Sequence, residues 1–391
     1  MKILMVNIPF GGHVNPTLPL AKELVDRGHK VSYILTEEWK ERIASTGAEF
    51  IPYVGGENLR ITFRNGKPEK FFQAIKVWKY AYRTILATGK EYDLLLYEFF
   101  TFTAFAAARK LGIKVARQFS TFAISKENID AILVSKNREV KLLNCKWLRK
   151  WMTKIVCGKI KLETADMISE ITDVPVDINI VYTVREFQMK QAAFGEQYVF
   201  AGPSIGNRNA DTVIPYEIMQ GLIIYVSMGT LQNERLDLYK KCVQAFGNKN
   251  GIFVIMSIGN RTRIAELGPI PENIFIYSFV PQLEVLKRST ILISHGGMNS
   301  VNEGLYYENR LLVIPMDMDQ YAVSERVQKL KLGYSLEKNN ITAELIWEKV
   351  KQLTESTEIE SNVKNMSRIM QKAGGVKVAS DCLEKFVQEE P

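Results

Sequence analysis

The sequence predicts an α/β protein of two domains, each built around a parallel β-sheet. A chain of 391 residues is long enough for two hydrophobic cores. Short apolar runs bounded by polar residues alternate with segments of helical periodicity, which is typical of strand–helix–strand units. A polar segment without periodicity, residues 203–215, separates the two sets of units and is predicted to be the interdomain linker.

Composition narrows the class of protein. The hydrophobic content of 46% supports full cores, and no stretch approaches the roughly 18 apolar residues of a membrane span. The net charge of +8 suits an anionic ligand without identifying one, and no nucleic-acid-binding motif is present. Four cysteines without disulfide or metal spacing indicate reduced thiols, so a cytoplasmic location is expected.

The first strand–helix unit begins at the amino terminus. A strand over Met1–Phe10 leads into Gly11-Gly12-His13, and Asn15 with Pro16 is a helix-start signal. Because ligands bind at the carboxyl ends of parallel strands, His13 is a candidate functional residue. The strand is too short for a signal peptide and lacks a small-residue cleavage site.

Four further strands are predicted in this domain: Lys30–Leu35, Glu49–Val54, Asp93–Tyr97 and Ile113–Arg117. Glu98 ends the third of these, as either a functional carboxylate or a carboxylate at a helix N-terminus. Phe99, Phe102 and Phe105 have the spacing of a packed helical face. Since Phe99 and Phe119 also lie at strand ends, they are candidates for an apolar binding pocket.

The second domain repeats the pattern, with strands predicted at Gly221–Ser227, Ile252–Ser257, Ile274–Tyr277, Ile291–Ile293 and Leu311–Ile314. Ser294, His295, Gly296 and Gly297 follow the fourth of these strands. Asn299-Ser300 then forms a helix start, and Glu303 is spaced for a capping box. Glycines, first-turn N–H groups and the helix dipole together form an anion site. The turn Met228-Gly229-Thr230 is expected on the same, phosphate-binding side.

The segment from Phe279 to Gln320 resembles the donor-binding signature of family 1 glycosyltransferases, which move sugars from UDP-sugars to small acceptors. That signature runs W/F-x-P-Q, H-x-G-x-N-S, E, P and D/E-Q, and every anchor is present in order. The resemblance implies the GT-B architecture, two Rossmann-like domains facing across a cleft. The acceptor domain would comprise residues 1–205 with the final helix, 376–391, and the donor domain residues 216–375.

Gly12-His13-Val14-Asn15-Pro16 resembles the family's G-H-x-N-P motif, which carries the catalytic base. The resemblance assigns that role to His13. The family normally has an aspartate where this chain has Glu98, which would orient the imidazole and stabilise its charged form.

The resemblance also implies roles for the donor-site residues. Phe279 would stack on uracil, Gln282 would bond the base or ribose, and Glu303 would take the ribose hydroxyls. Asp319-Gln320 would hold the donor sugar. Asp317-Met318-Asp319 is therefore not interpreted as a D-x-D metal motif, and no metal or other cofactor is expected. The full predicted donor set is Ser227, Gly229, Thr230, Phe279, Val280, Gln282, His295, Gly297, Asn299, Ser300, Glu303, Asp319 and Gln320.

The expected function is transfer of a hexose, with glucose favoured, from a UDP-sugar to a hydroxyl of a small apolar acceptor such as a macrolide or flavonoid. The transfer is expected to invert the anomeric configuration and to need no metal ion. Two alternatives stay open: a lipid glycosyltransferase at the membrane surface, and a sugar-nucleotide-binding protein without turnover. The first is prompted by the basic run between Lys136 and Lys161, in which Trp147 and Trp151 recur at helical spacing. The favoured interpretation is a helix that packs these tryptophans on the acceptor domain.

Overall fold

The computed structural model describes residues 1–56, 59, 63–64, 67–68, 71–133, 145–206, 212–229, 233–317 and 319–389. The chain divides into two compact units, Met1–Gly206 with Ala373–Pro391, and Asn207–Lys372. The domain boundaries predicted from the sequence place the end of the first domain at residue 205 and the second domain at residues 216–375. Each unit is described by itself below.

Most strands of the first unit are separated by helices along the chain. The strands are β1 (Lys2–Val6), β2 (Lys30–Leu35), β3 (Glu49–Pro52), β4 (Phe63–Arg64), β5 (Lys67–Pro68), β6 (Leu94–Glu98), β7 (Lys114–Phe119), β8 (Ile178–Val181) and β9 (Tyr198–Phe200). All except the antiparallel pair β4–β5 form one parallel sheet of order β3-β2-β1-β6-β7-β8-β9.

The second unit contains one parallel sheet of order β12-β11-β10-β13-β14-β15. Its strands are β10 (Leu222–Ser227), β11 (Ile252–Ser257), β12 (Ile274–Tyr277), β13 (Ile291–Ser294), β14 (Arg310–Val313) and β15 (Gly333–Ser335). Five of these six strands were predicted from apolar runs. The sixth, β15, is only three residues long and carries no such run.

The α-helices connect these strands along the chain. They are α1 (Gly11–Val14), α2 (Leu18–Asp26), α3 (Lys40–Ala44), α4 (Phe71–Thr88), α5 (Thr103–Leu111), α6 (Ile129–Leu133), α7 (Lys146–Cys157), α8 (Met167–Thr172), α9 (Leu236–Phe246), α10 (Gln282–Leu286), α11 (Met298–Tyr306), α12 (Asp319–Lys329), α13 (Ala343–Glu355), α14 (Thr357–Lys372) and α15 (Val376–Gln388). In the part of the chain described, no helix combines the length and apolarity needed to cross a membrane.

Both sheets change winding direction beside their first strand. In the first unit the chain adds β2 and β3 on one side of β1 and then continues with β6 on the other. In the second unit β11 and β12 lie on one side of β10, and β13 lies on the other. Such a switch point leaves a crevice at the carboxyl ends of the two strands, where open α/β sheets bind ligands.

The final helix, α15, packs on α2 of the first unit. Ala379 and Leu383 are fully buried in the same core cluster as Leu20 and Leu24, and burying a leucine contributes roughly 1.5–3 kcal/mol. Arg27 adds a polar clamp, because its guanidinium bonds Asp381 at 2.6 Å and Glu384 at 3.0 Å.

His29 belongs to the same clamp, since its Nε2 lies 2.7 Å from Glu384. It is therefore not a plain surface turn residue, the role that its position between Gly28 and a strand suggests.

The interpretation of the basic helix as a helix with packed tryptophans is wrong. Within the described residues the helix is α7, and its buried residues are Thr153, Val156 and Cys157. Trp147 and Trp151 are 70% and 57% exposed. The buried stripe lies on the opposite side of the helix from the tryptophans, so helical spacing alone did not identify the packed face.

Candidate active site

His13 and Glu98 meet at the switch point of the first sheet. His13 lies in the single turn α1 after β1, and Glu98 is the last residue of β6, which pairs with β1. Nδ1 of His13 lies 2.8 Å from Oε1 of Glu98. Because a carboxylate only accepts, Nδ1–H is the donor, and Nε2 keeps the lone pair of the neutral ring. The histidine side chain is 24% exposed, whereas Glu98 is fully buried.

The Glu98 carboxylate is bonded at both oxygens. Ser120 lies directly after β7, the neighbouring strand, and its hydroxyl donates to Oε1 at 2.7 Å. The backbone N–H of Phe100 donates to Oε2 at 2.9 Å. The alternative that Glu98 is a helix-start carboxylate is wrong, because the next helix, α5, begins only at Thr103 and has no acidic residue in its first turn.

Asn7 fixes the turn that carries His13. Its buried side-chain amide donates to the His13 carbonyl at 3.0 Å and lies 3.1 Å from the Tyr33 hydroxyl. The predicted helix start at Asn15-Pro16 is wrong, since α1 begins at Gly11 and α2 begins after Thr17. The early helical turn places the imidazole beside β6.

Aromatic rings surround the imidazole. The ring centroids of Phe10, Phe99 and Phe100 lie 5.9, 5.7 and 5.6 Å from that of His13. Phe100 is held in turn by Trp78, whose indole N–H donates to its carbonyl at 2.6 Å. An apolar acceptor could pack on such rings.

Phe119 is not an acceptor contact in this arrangement, contrary to the prediction. Its side chain is fully buried and stacks on Phe99 with centroids 5.3 Å apart and an interplanar angle of 18°. Phe119 therefore supports Phe99 from the core side. Phe99 itself is 5% exposed, whereas Phe100, which the prediction does not include, is partly exposed beside the imidazole.

His295 lies at the switch point of the second sheet, directly after β13. A Cβ at Gly229 would come within 2.6 Å of its Cε1, and one at Gly297 within 2.6 Å of its Nε2. The imidazole therefore occupies space that only glycine leaves open on either side. Gly229 also has φ of +73°, which a side chain would strain. Ser227 and Ser294 end the paired strands β10 and β13 in register.

The surroundings of His295 hold it in the neutral state. Burial lowers the pKa of its imidazole to about 4, although a hydrogen bond with the Ser227 backbone raises it in part. Its buried Nδ1 has no hydrogen-bond partner within the described structure. At neutral pH this ring is an uncharged donor or acceptor and not a cation.

The helix after His295 begins one to two residues earlier than predicted. Helix α11 begins at Met298 with Gly297 as its N-cap, and no side chain caps it. Asn299 and Ser300 therefore lie in the first turn, so the capping box of Ser300 and Glu303 is wrong. The backbone N–H groups of this turn are positioned to bind an anion.

Glu303 is buried and bonded to Gln282, the first residue of α10. Nε2 of Gln282 donates to Oε2 of Glu303 at 2.6 Å, and the Tyr225 hydroxyl donates to Oε1 of Gln282 at 3.2 Å. Glu303 is 2% exposed. These two hydrogen bonds, from Tyr225 to Gln282 and from Gln282 to Glu303, fix two predicted donor-binding residues in one orientation. Burial raises the pKa of the Tyr225 hydroxyl, which therefore stays protonated and remains a donor.

The other predicted donor residues lie around this cluster. Phe279 is 50% exposed in the loop before α10, followed by the half-buried Val280. Asp319 begins α12, and Oε1 of Gln320 accepts from the backbone N–H of Met316 at 2.9 Å and of Asp317 at 3.2 Å. The Gln320 side chain therefore holds the backbone of the residues just before α12. Thr230 lies outside the described residues.

In the described parts of the chain, no group of three or more His, Cys, Asp or Glu side chains is arranged to hold a metal ion. Asp317 and Asp319 are described, whereas residue 318 between them is not.

Ser120 and Tyr225 are two polar residues at the site that the sequence analysis missed. The strand prediction ended at Arg117, whereas β7 continues to Phe119, so Ser120 was not placed at a strand end. Tyr225 reads as a buried strand residue because its ring fills the core. A polar residue directly after a buried strand is the signal that finds Ser120.

Two family models match the chain. The glycosyltransferase family 28 N-terminal domain matches residues 3–116, and the erythromycin biosynthesis protein CIII-like C-terminal domain matches residues 249–383. The NDP-glycosyltransferase YjiC of Bacillus subtilis (strain 168) is 31% identical, covering 99% of this chain and 97% of its own. This chain belongs to the family 1 glycosyltransferases.

Other relatives span the same length. The uncharacterized UDP-glucosyltransferase YojK of Bacillus subtilis is 29% identical over 99% of this glycosyltransferase and 98% of its own chain. The oleandomycin glycosyltransferase of Streptomyces antibioticus is 26% identical over 98% and 90%. The calicheamicin glycosyltransferase CalG4 has a similar structure, with a TM-score of 0.78 at 24% identity over 100% of this chain and 99% of its own.

The comparisons and the two parallel sheets identify the fold as GT-B, with two Rossmann-like domains. The relatives also establish the reaction class: this glycosyltransferase transfers a sugar from a nucleotide-sugar donor.

Proposed function

We propose that this glycosyltransferase moves a hexose, glucose in first place, from a UDP-sugar to a hydroxyl of a small apolar acceptor, with inversion and without a metal ion. The observation that carries the proposal is the 2.8 Å contact between His13 and the buried Glu98, with aromatic rings around the imidazole. A neutral imidazole whose Nδ1–H is held by a carboxylate is the arrangement of a general base.

In the proposed reaction, Nε2 of His13 takes the proton of the acceptor hydroxyl. The acceptor oxygen forms a bond to the anomeric carbon from the face opposite the diphosphate, and the bond from that carbon to the diphosphate oxygen breaks. UDP leaves with the electron pair, and Glu98 stabilises the imidazolium until its proton is released. One displacement inverts the anomeric configuration.

The residues around His295 in the second unit would stabilise the charge of the diphosphate by hydrogen bonds, without a metal cation. The first-turn N–H groups of α11 and the neutral His295 would donate to phosphate oxygens, as preorganised donors do for developing charge. The bonded pair Gln282–Glu303 would take the ribose, the exposed ring of Phe279 would stack on uracil, and Asp319 with Gln320 would hold the sugar. Relatives named as UDP-glucosyltransferases support UDP-glucose as the donor.

Two further points support the proposal's finer parts. The rings of Phe10, Phe99 and Phe100 near the base favour an apolar acceptor, and relatives named for oleandomycin and demethyllactenocin favour natural products. Four free cysteine thiols, at positions 145, 157, 242 and 382, support the cytoplasm as the compartment.

The deciding experiment is transfer measured by mass spectrometry with UDP-glucose, UDP-galactose and dTDP-glucose, each against a panel of macrolides and flavonoids. We expect a product with UDP-glucose and full activity in excess EDTA, and NMR of the purified product should show the anomeric configuration opposite to that of the donor. Loss of activity in EDTA that Mg²⁺ restores would contradict the metal-free mechanism. UDP binding without product from any acceptor would favour a protein without turnover.

A further inference from the structure

Helix α7 carries an exposed apolar stripe. Trp147 and Trp151 are 70% and 57% exposed, and Ile155 is 45% exposed. The three follow one another at intervals of four residues, so they lie along one side of the helix. The opposite side packs on the unit, with Val156 and Cys157 buried and Lys79 of α4 donating to the Ile155 carbonyl at 3.1 Å.

A basic stripe runs beside the apolar one. Lys146, Lys150 and Lys154 are exposed, and each directly precedes a member of the apolar stripe. One residue along a helix turns by about 100°, so the lysines form the adjoining face. Residues 145–161 contain no Asp or Glu. We call Lys146, Trp147, Lys150, Trp151, Lys154 and Ile155 together the Trp–Lys face.

We propose that the Trp–Lys face docks this enzyme on the surface of an anionic phospholipid bilayer. Tryptophan prefers the boundary between headgroups and acyl chains, because its ring is apolar and its N–H is polar. Lysines beside it would lie at the level of the lipid phosphates, and each basic residue near such a surface strengthens binding about fivefold. Binding through these combined terms is typical of interfacial amphipathic helices.

A second copy of the chain is a poorer occupant of this face. Two copies of a surface with three exposed lysines and no acidic partner would repel each other. Three apolar side chains also supply much less than the ~800 Å² per partner of a stable protein interface. The face contains none of the residues assigned above to catalysis or donor binding, so the inference does not depend on the proposed function.

The test is co-sedimentation of the full chain with vesicles of phosphatidylcholine alone or mixed with phosphatidylglycerol. We expect binding to the mixed vesicles only, with a blue shift of tryptophan fluorescence and weaker binding in 1 M salt, where the screening length falls to ~3 Å. Lys150→Gln with Lys154→Gln should weaken partitioning tenfold or more, given about fivefold for each charge. Trp147→Ala with Trp151→Ala should weaken it and remove the fluorescence shift.

The matched control changes the same charge elsewhere on the unit. Arg109 and Lys110 are exposed near the end of α5, so Arg109→Gln with Lys110→Gln should keep vesicle binding. The proposal is overturned if the wild-type chain does not bind mixed vesicles, or if this control loses as much binding as the lysine pair of α7. It is also overturned if duplex DNA binds the face and the vesicles do not.

Discussion

His13 and His295 each lie at the switch point of their own sheet, yet the two switch points surround them differently. His13 has a buried carboxylate 2.8 Å from Nδ1, and Ser120 and the Phe100 N–H hold that carboxylate. His295 has glycines on both sides and a buried Nδ1 without a partner among the described residues. The first site is built to stabilise an imidazolium, whereas the second opposes one.

The difference comes from a single type of group. A carboxylate beside the ring favours the protonated imidazole, and burial without a carboxylate favours the neutral one. Among the described residues His295 has no carboxylate beside it, and burial lowers its pKa to about 4. One topology, repeated in two units, thus provides a candidate base on one sheet and a candidate neutral hydrogen-bonding group on the other.

Replacing each histidine by glutamine tests this comparison most directly, and His13→Gln should have the larger effect. A glutamine amide cannot take the acceptor proton, so transfer should fall by about 10²–10⁴-fold, the range for losing a general base. UDP binding, measured by calorimetry, should stay at the wild-type value. A variant that transferred normally at saturating donor but bound UDP weakly would reverse the assignment.

The same substitution at His295 should be tolerated much better. Glutamine is also an uncharged donor, whereas His295→Ala removes the donor and should reduce kcat/KM for the nucleotide sugar by about 10²–10³-fold. The expected order is wild type, then Gln, then Ala. Equal losses in the two variants would show that ring shape between Gly229 and Gly297 matters and hydrogen bonding does not.

The pH dependence of stability gives a separate check on His295. The unfolded chain gives this imidazole an ordinary pKa near 6.5, whereas burial lowers the folded pKa to about 4. Between these values the unfolded state binds a proton that the folded state does not, so the free energy of unfolding falls as pH decreases through this window. His295→Gln should lose less stability than wild type between pH 6.5 and 4.5 in urea titrations, and parallel curves would contradict the burial argument.

The strands could be predicted from sequence because buried parallel strands are continuous apolar runs. β2, β11 and β12 have the predicted bounds, and the final helix begins at the predicted residue, Val376. β8 and β9 were missed: Asn179 interrupts the apolar run of β8, and β9 is only three residues long.

The site was harder to predict in detail, because its local features depend on contacts distant in sequence. Asn15 and Ser300 are good helix-start residues, yet both helices begin earlier in the structure. The earlier start at Gly11 accompanies the hydrogen bond of His13 to Glu98, and the earlier start at Met298 accompanies the packing of His295 against Gly297. Phe119 shows the same limit, since only the fold reveals which side of Phe99 it supports.

Glu98→Gln should have the next largest effect on transfer. The amide can keep a hydrogen bond to His13 but loses the charge that stabilises the imidazolium, so transfer should drop at least about tenfold, equivalent to 1.4 kcal/mol. Steady-state rates across pH 6–9 provide the measurement. Wild-type rates throughout would leave Glu98 a structural carboxylate despite its contact with His13.

Glu98→Asp separates charge from reach. The Ser120 and Phe100 bonds hold both oxygens of the longer side chain at 2.7 and 2.9 Å. A shorter carboxylate cannot keep both of these contacts and the 2.8 Å contact with His13 unless the backbone moves. We therefore expect Glu98→Asp to reduce transfer, and an unchanged rate would show that the site accepts either length.

Ser120→Ala should have the smallest effect and tests how Glu98 is positioned. A hydrogen bond to a charged group contributes about 1.5–3 kcal/mol, but the Phe100 N–H remains as a second donor to the carboxylate. We expect kcat to fall several-fold with an unchanged donor KM, and Ser120→Thr, which keeps the hydroxyl, to recover most of the rate. The Ser120 hydroxyl donates to Oε1 of Glu98 at 2.7 Å and also lies 3.2 Å from Nδ1 of His13. If Ser120 acts mainly through Glu98, its removal should cost much less in the Glu98→Gln background, where the charge it stabilises is absent. Independent, additive losses in that double variant would mean that Ser120 acts on His13 directly or supports the fold of the β7 end, and not through the carboxylate of Glu98.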